Sequence, residues 1–366
     1  MRIGMDARLL HYQPAGIGLY TQRLLEALET VDQTNDYFVL QSRKDVATLA
    51  RGPRFRRQSL WTPPHHRLEQ WTLPLELAPL GLDLLHSPDF IPPLRWRGRS
   101  VITVMDLAFL RYPYLLTEES RRYYGQVGRA VARADAILAI SQATRSDLVE
   151  LLGAPEDKIT VTYLAADARF RRVDDPAALA AVRRKHGLDG DYLLFVGTLE
   201  PRKDLPTLLR AFGRIRPGFP GLTLAMAGRP GWLCDEVYAT ARELGLEQAA
   251  RFLGGVAPDD LAALYSGATA FVLPSLYEGF GMPVLESMAC GTAVVCSNTS
   301  SLPEVAGDAA LLFPPGDVDA LAEALQRVIT DETLRGELSR RGLARVARFS
   351  WADTARRTLA VYESLN

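Results

Sequence analysis

Short apolar runs alternate along this chain with longer runs in which apolar residues recur at helical spacing. Strict apolar runs of this length read as buried strands, and the longer amphipathic runs read as helices. In the first half the pattern predicts strands near Ile3–Asp6, Tyr37–Gln41, Leu84–His86, Val101–Val104, Ala136–Ile140 and Ile159–Val161. Helices are predicted near Ile17–Leu28, Glu118–Arg133 and Gln142–Leu151. Charged and turn residues break the rhythm over Ala165–Pro176, and Tyr192–Val196 restarts it. Strands then follow at Leu222–Ala227, Arg251–Leu253, Ala270–Leu273 and Ala293–Cys296. Helices follow at Leu205–Arg214, Cys234–Leu244, Asp259–Tyr265, Met282–Ala289, Val318–Ile329, Glu332–Ala347 and Ala352–Leu365.

Regular strand–helix alternation predicts βαβ units with parallel sheets. The expected fold is α/β, with two Rossmann-like doubly wound domains, residues 1–170 and 171–350, facing a central cleft. Ligands of such sheets bind beyond the carboxyl ends of the strands, so the site is expected in that cleft.

Composition narrows the function. The chain has 366 residues, 48% of them hydrophobic, and a formal net charge of −1. That size suits about two domains, and the near-neutral charge gives no field that would draw nucleic acid. Lysine is confined to Lys44, Lys158, Lys185 and Lys203, which makes Lys203 beside Arg202 conspicuous. Cys234, Cys290 and Cys296 have neither metal-ligand spacing nor a disulfide framework. His65, His66 and His86 have no Glu or Cys at ligand spacing, so no metal site is expected. Asp6 falls too early for the apolar core of a signal peptide, and no apolar run approaches the ~18 residues of a spanning helix. A cytoplasmic protein is expected, with contact at the inner membrane face left open.

The most informative segment is Glu278-Gly279-Phe280-Gly281-Met282-Pro283-Val284-Leu285-Glu286. It follows a predicted strand and opens a predicted helix. A helix start offers unpaired N–H groups and partial positive charge, a natural seat for an anion. Pro283 suits the first turn, where its missing N–H costs nothing, and Gly279 and Gly281 let the backbone approach a ligand. Two carboxylates flanking such a seat fit a ligand with a diphosphate middle and hydroxyl-rich ends. A nucleotide sugar has that layout.

Other segments are read with their simpler alternatives. Gly197-Thr198-Leu199-Glu200-Pro201-Arg202-Lys203 follows a strand, so Arg202 and Lys203 would neutralise a diphosphate or be solvated loop charges. Gly16 and Gly18 open a helix and would admit a phosphate or simply turn the chain. The runs ending at Gly228 and Val256 would lie along the nucleotide or simply turn. Asp106, ending a strand after Met105, would orient a hydroxyl or cap the next turn. Asp317 and Asp319 read as a helix cap. Arg51, Arg54, Arg56 and Arg57 around Phe55 form one basic cluster and Arg95, Trp96, Arg97 and Arg99 another. Each reads as a solvated loop or a contact for anionic lipid or a phosphorylated acceptor.

With these motifs in this order, and Ser141-Gln142-Ala143-Thr144 between them, nearly the whole chain resembles the family-4 retaining glycosyltransferases of the two-Rossmann-domain (GT-B) class. The resemblance implies a first domain for the acceptor, a second for the donor, and a closing helix, 351–366, that returns to the first. It implies Glu286 on the ribose hydroxyls, Glu278 near the donor sugar, and N–H groups from Phe280 to Leu285 near sugar and phosphate. Arg202 and Lys203 would meet the departing diphosphate, with Gly16 passing close to it, and no metal is implied. One departure stands out: Met105 occupies the place of a histidine usual in the family, and methionine cannot donate a proton.

The implied reaction is transfer of a hexose from GDP-mannose or, second, UDP-glucose to a hydroxyl of a saccharide or lipid-linked acceptor. First-domain loops, Gly52–His66 and Leu107–Thr117, are expected to shape the acceptor site. The alternatives are a nucleotide-sugar epimerase and a nucleotide-sugar-binding protein of little or no activity, the latter because of Met105.

Overall fold

The computed structural model describes residues 1–12, 16–115 and 118–366. Among them, thirteen strands form two sheets. The first contains β1 (Arg2–Asp6), β2 (Asp36–Ser42), β3 (Phe55–Leu60), β4 (Leu84–Ser87), β5 (Arg99–Val104), β6 (Ala136–Ala139) and β7 (Ile159–Val161). The second contains β8 (Tyr192–Val196), β9 (Thr223–Ala227), β10 (Ala250–Gly254), β11 (Ala270–Leu273), β12 (Val294–Ser297) and β13 (Ala310–Phe313). Their orders are β3-β2-β1-β4-β5-β6-β7 and β10-β9-β8-β11-β12-β13, with every pairing parallel.

Both sheets are doubly wound, and each reverses direction once. The chain order turns between β1 and β4 in the first sheet and between β8 and β11 in the second. At such a point the connections leave to opposite sides and open a crevice beyond the strand ends, where ligands of α/β sheets bind.

The chain divides into two compact units, Met1–Leu164 with Ser350–Asn366, and Ala165–Phe349. The second unit begins earlier than residue 171, and Phe170 already lies edge-on to its Tyr265.

Central strands are apolar on both faces, as parallel strands covered by helices must be. Leu193, Leu194 and Phe195 of β8 and all four residues of β11 have no exposed surface. Each such large side chain contributes roughly 1.5–3 kcal/mol on burial. The closing helix, Trp351–Ser364, belongs to the first unit. Tyr362 Oη bonds His86 Nδ1 at 2.5 Å, His86 Nε2 bonds Thr103 Oγ1 at 2.8 Å, and Tyr20 Oη reaches the same Thr103 oxygen at 3.1 Å. Burial pushes the His86 imidazole down to about 3, so it is held neutral.

Several elements depart from the sequence pattern. The segment read as a basic loop is β3, an edge strand, and Phe55 is buried with its ring stacked on Tyr37 at 4.5 Å. Alternation there is hidden by Arg56 and Arg57, whose strand has one face open. The helix Pro176–Lys185 has no fully buried residue, so its apolar stripe is too weak to read. The predicted helix Glu118–Arg133 is two helices, Glu118–Tyr124 and Val127–Arg133, parted at Gly125. Helix Glu69–Leu77 and strand β13 were not read at all. Residues 116 and 117 of the predicted acceptor loop lie outside the described residues.

Candidate active site

The second sheet's switch point is where β8 and β11 lie side by side. Beyond β8 the chain makes a turn at Pro201–Lys203, and beyond β11 it makes the loop that carries Glu278. Pairing of the two strands brings the loops together, and Leu276 N–H donates to Arg202 C=O at 2.8 Å.

Glu278 is buried between two cations. Lys203 Nζ donates to Glu278 Oε1 at 2.5 Å, and Arg202 Nη1 donates to Oε2 at 3.0 Å. Ser275 Oγ adds a third donor to Oε1 at 2.6 Å. Arg202 also grips Glu200 Oε1 through Nε and Nη2, at 3.1 and 2.7 Å, and Tyr277 C=O through Nη1 at 2.9 Å. Lys203, Glu200, Ser275 and Glu278 are all buried. Burial alone would raise the Glu278 carboxyl, but Lys203 and Arg202 hold it down at about 2. The cluster is two cations facing two carboxylates, so its charges are mutually compensated.

The main chain is as closely held. Glu278 N–H donates to Ser300 Oγ at 2.8 Å, and Ser301 Oγ donates back to Glu278 C=O at 2.9 Å. Gly281 then adopts φ +97°, open to glycine, and a Cβ there would sit 2.6 Å from Leu302 Cδ2. The helix Met282–Ala289 starts at this glycine without a side-chain cap. Not every backbone donor expected here is available: Pro283 has none, and Val284 N–H already bonds Gly281 C=O at 2.9 Å. The side chains of Phe280, Val284 and Leu285 are core; Phe280 meets Phe349 edge-on.

Glu286 stands one turn into that helix, half-buried, and accepts a hydrogen bond from Tyr265 Oη at 3.0 Å. Burial pushes its carboxyl up to about 7, the Tyr265 bond opposing. The two glutamates of one motif thus titrate far apart: Glu278 is fixed as an anion and Glu286 is poised near neutrality.

Residues 180–345 match the family model described as glycosyl transferases group 1, and residues 14–170 match that of glycosyltransferase family 4. The chain is 36% identical over 288 residues to O-antigen chain mannosyltransferase B of Escherichia coli, covering 77% of this chain and 74% of that one. The chain belongs to family 4 of the glycosyltransferases. It is also 35% identical over 248 residues to the serotype-specific mannosyltransferase WbdA of Escherichia coli, but spans only 30% of that longer protein. In fold this glycosyltransferase is similar to a sucrose-phosphate synthase from Thermosynechococcus elongatus, with TM-score 0.80 at 22% identity over 100% of this chain and 99% of the other. The two parallel-sheet domains are of the GT-B class. Membership of a transferase family removes the epimerase alternative.

Several expected site residues of this glycosyltransferase have another explanation. A Cβ on Gly228 would lie 1.7 Å from Gly197 C=O, so Gly228 is small because two strand ends press together there. Gly197 is the other half of that contact. Gly16 is exposed at φ +57° and ψ −119°, a conformation reserved for glycine, and it starts helix Ile17–Val31; Gly18 is buried in the first turn. Val256 is half-buried just beyond β10. Asp106 Oδ1 accepts Ala108 N–H at 3.0 Å, a local turn bond just ahead of the short helix Ala108–Arg111, whose cap residue is Leu107. Asp204 adopts φ +46° and ψ +45° at the start of helix Leu205–Ile215, a left-handed conformation that Asp and Asn tolerate better than other side chains.

A second polar cluster went unread in the sequence. At the first sheet's switch point, between β1 and β4, Arg8 is buried and donates to Asp6 Oδ2 at 2.7 Å, Glu69 Oε1 at 2.5 Å and Thr62 C=O at 2.9 Å. Asp6, Arg8, Glu69 and Asp89 line a small pocket with Ile17 and Pro64. His65 bonds Asp89, and Tyr123 Oη donates to the same carboxylate at 3.1 Å. Its members come from four distant segments, so no local spacing announces it. Asp6 alone carried a signal, as an acid ending a strand.

Among the described residues no group of His, Cys, Asp or Glu is placed to hold a metal ion, and no helix is long and apolar enough to cross a membrane.

Proposed function

We propose that this glycosyltransferase moves a hexose from a nucleotide diphosphate sugar to a hydroxyl of a saccharide or lipid-linked acceptor, with retention at the anomeric carbon and without a metal. Mannose from GDP-mannose is the first choice, in line with the Escherichia coli relatives' names, and glucose from UDP-glucose the second. The observation that carries the reading is the Arg202–Lys203–Glu278 cluster at the second sheet's switch point, just ahead of an uncapped helix start that leads to Glu286.

In this reading the bond between sugar C1 and the diphosphate oxygen breaks, leaving positive charge on the ring and negative charge on the diphosphate. Arg202, Lys203 and main-chain N–H groups near Gly281 meet that negative charge. Donors held in place beforehand are often the largest catalytic contribution, and losing one costs ~3 kcal/mol. The acceptor oxygen bonds C1 from the face the diphosphate leaves, and its proton passes to a departing phosphate oxygen. No protein nucleophile is required. Glu278 is poorly suited to be one, since a carboxylate pinned by two cations is a weak nucleophile. Its part is to hold both cations rigid and accept from a sugar hydroxyl. Glu286 takes the ribose hydroxyls, and Asp106 orients a hydroxyl in the first unit.

The test is incubation with GDP-mannose or UDP-glucose and a panel of saccharide and lipid-linked acceptors, with EDTA present. Nucleotide diphosphate release and an α-linked product from an α-linked donor are expected. An inverted linkage, or activity abolished by EDTA, overturns the corresponding part. Binding without turnover across the panel favours a nucleotide-sugar binder, the reading suggested by Met105. Met105→His, at a half-buried position just beyond β5, then raises turnover if the missing imidazole is what limits it.

A further inference from the structure

We infer that the first unit docks on an anionic lipid surface through the outer face of helix Glu69–Leu77. This helix is apolar on two sides. Its inner side, Leu73 and Leu77, joins a core with Phe38, Leu40, Leu60, Leu82 and Leu85. Its outer side presents Leu68, Trp71 and Leu75, which are 56%, 56% and 74% exposed. Spacing of three and four residues puts these on one stripe. Folding accounts for the inner stripe alone. Large apolar residues grouped at the surface mark a binding face rather than chance exposure.

The stripe continues across the neighbouring strand end. Trp61, just beyond β3, is 70% exposed, and its main-chain N–H donates to Glu76 Oε2 at 2.7 Å, which ties this strand end to the helix. Thr62 Oγ1 bonds Thr72 Oγ1 at 2.8 Å across the same seam. Each tryptophan carries an arginine: the Arg43 guanidinium lies 3.8 Å from the Trp61 ring centre, and that of Arg95 lies 3.1 Å from the Trp71 ring centre. Lys44 and Arg67 are exposed nearby. The local acids are already used. Glu69 is buried against Arg8, and Glu76 accepts from Trp61 and Thr62.

This composition fits a bilayer interface. Indole rings favour the boundary between headgroups and acyl chains, and an amphipathic helix lies in that plane with its apolar face down. Guanidinium groups at the rim add attraction to anionic headgroups, roughly fivefold in affinity per side chain. A second copy of the chain is disfavoured, because it would bring like charges face to face. The surface lies wholly in the first unit and stands apart from the donor reading. Of the basic cluster Arg51, Arg54, Arg56 and Arg57, Arg56 and Arg57 lie on edge strand β3 and the other two precede it, so the surface is centred on the helix instead.

Co-sedimentation with vesicles tests this. The intact chain should pellet with vesicles of phosphatidylcholine and phosphatidylglycerol in equal parts, less with phosphatidylcholine alone, and its tryptophan emission should shift to the blue. Trp71→Ser with Leu75→Ser, and separately Arg43→Glu with Arg95→Glu, should each weaken binding about tenfold or more, with an unchanged melting temperature because the altered side chains are exposed. The inference is overturned if the intact chain stays in the supernatant with both vesicle types, or if both variants pellet like the parent. It is equally overturned if the Trp71/Leu75 variant merely abolishes self-association or saccharide binding while vesicle binding is absent.

Discussion

Lys203 and Glu278 stand 75 residues apart in sequence and meet at 2.5 Å in a buried ion pair. Each lies beyond the end of a strand, and the two strands are neighbours at the point where the second sheet reverses its order. The pair is therefore a direct product of topology. It also changes the reading of the motif. The sequence suggests cations for a diphosphate and an acid for a sugar, as separate duties. The structure joins them: the Glu278 carboxylate holds both cations in place.

Breaking one side of a buried pair strands the other charge and costs about 3–5 kcal/mol. Glu278→Gln and Lys203→Met should each lower stability to urea by roughly that amount and abolish turnover. The double variant should lose less than the sum, with a coupling of roughly 0.5–3 kcal/mol. Strict additivity in urea unfolding would refute the coupling. The Glu278 carboxyl is depressed to about 2, so its stabilisation is full above the ordinary glutamate value and is lost as pH falls through 2. Glu278→Gln should remove that acid limb.

Glu286 behaves in the opposite sense. Its carboxyl is raised to about 7 in the folded chain. The unfolded chain releases this proton near 4.5, so stability falls as pH rises from 4.5 to 7, by on the order of 3 kcal/mol at most. Glu286→Gln should flatten that fall in thermal melts. If ribose hydroxyls bond the carboxylate, nucleotide affinity should rise with pH up to about 7, with proton release on binding visible by calorimetry in buffers of different ionisation enthalpy. Affinity independent of pH from 5 to 8 would remove Glu286 from the ribose.

Gly228→Ala is expected to be damaging without touching any ligand. The added methyl would lie 1.7 Å from Gly197 C=O, and main chain cannot step aside as a side chain can. The cost should reach the top of the roughly 1–3 kcal/mol seen for overpacking, or exceed it. Thermal unfolding measures it. A fall in nucleotide affinity with stability unchanged would show instead that Gly228 lines the ligand.

The closing helix gives a prediction for the first unit. Tyr362→Phe leaves the buried His86 Nδ1 without its partner, which should cost about 1–3 kcal/mol. Because burial depresses His86 to about 3, the unfolded chain takes up a proton below 6.5 that the folded chain refuses until 3. Stability is lost progressively as pH falls across that window. His86→Gln should flatten the difference curve between those values, and an unchanged curve would mean the histidine is not buried in solution.

Much of this was legible in the chain because parallel sheets write a strong local signal. A strand covered on both faces, such as Ala270–Leu273 or Tyr192–Val196, must be apolar throughout, and the helices that cover it must be striped. Arg202, Lys203, Glu278 and Glu286 stand out in the sequence as candidates from their place at strand ends and around a glycine-rich helix start. Edge strand β3 was missed because one open face lets arginines replace apolar residues, and helix Pro176–Lys185 because it buries no residue fully.

What folding alone decided is which of these groups touch. The seating of Glu278 between Lys203 and Arg202, the gathering of Asp6, Arg8, Glu69 and Asp89, and the outward turn of Trp71 and Leu75 all depend on strand order and register. The chain's pattern sets what each segment becomes, because hydrogen bonding and burial within a strand or helix are local. Pairings between segments follow from burying many such elements at once, so they appear only when both sheets are complete.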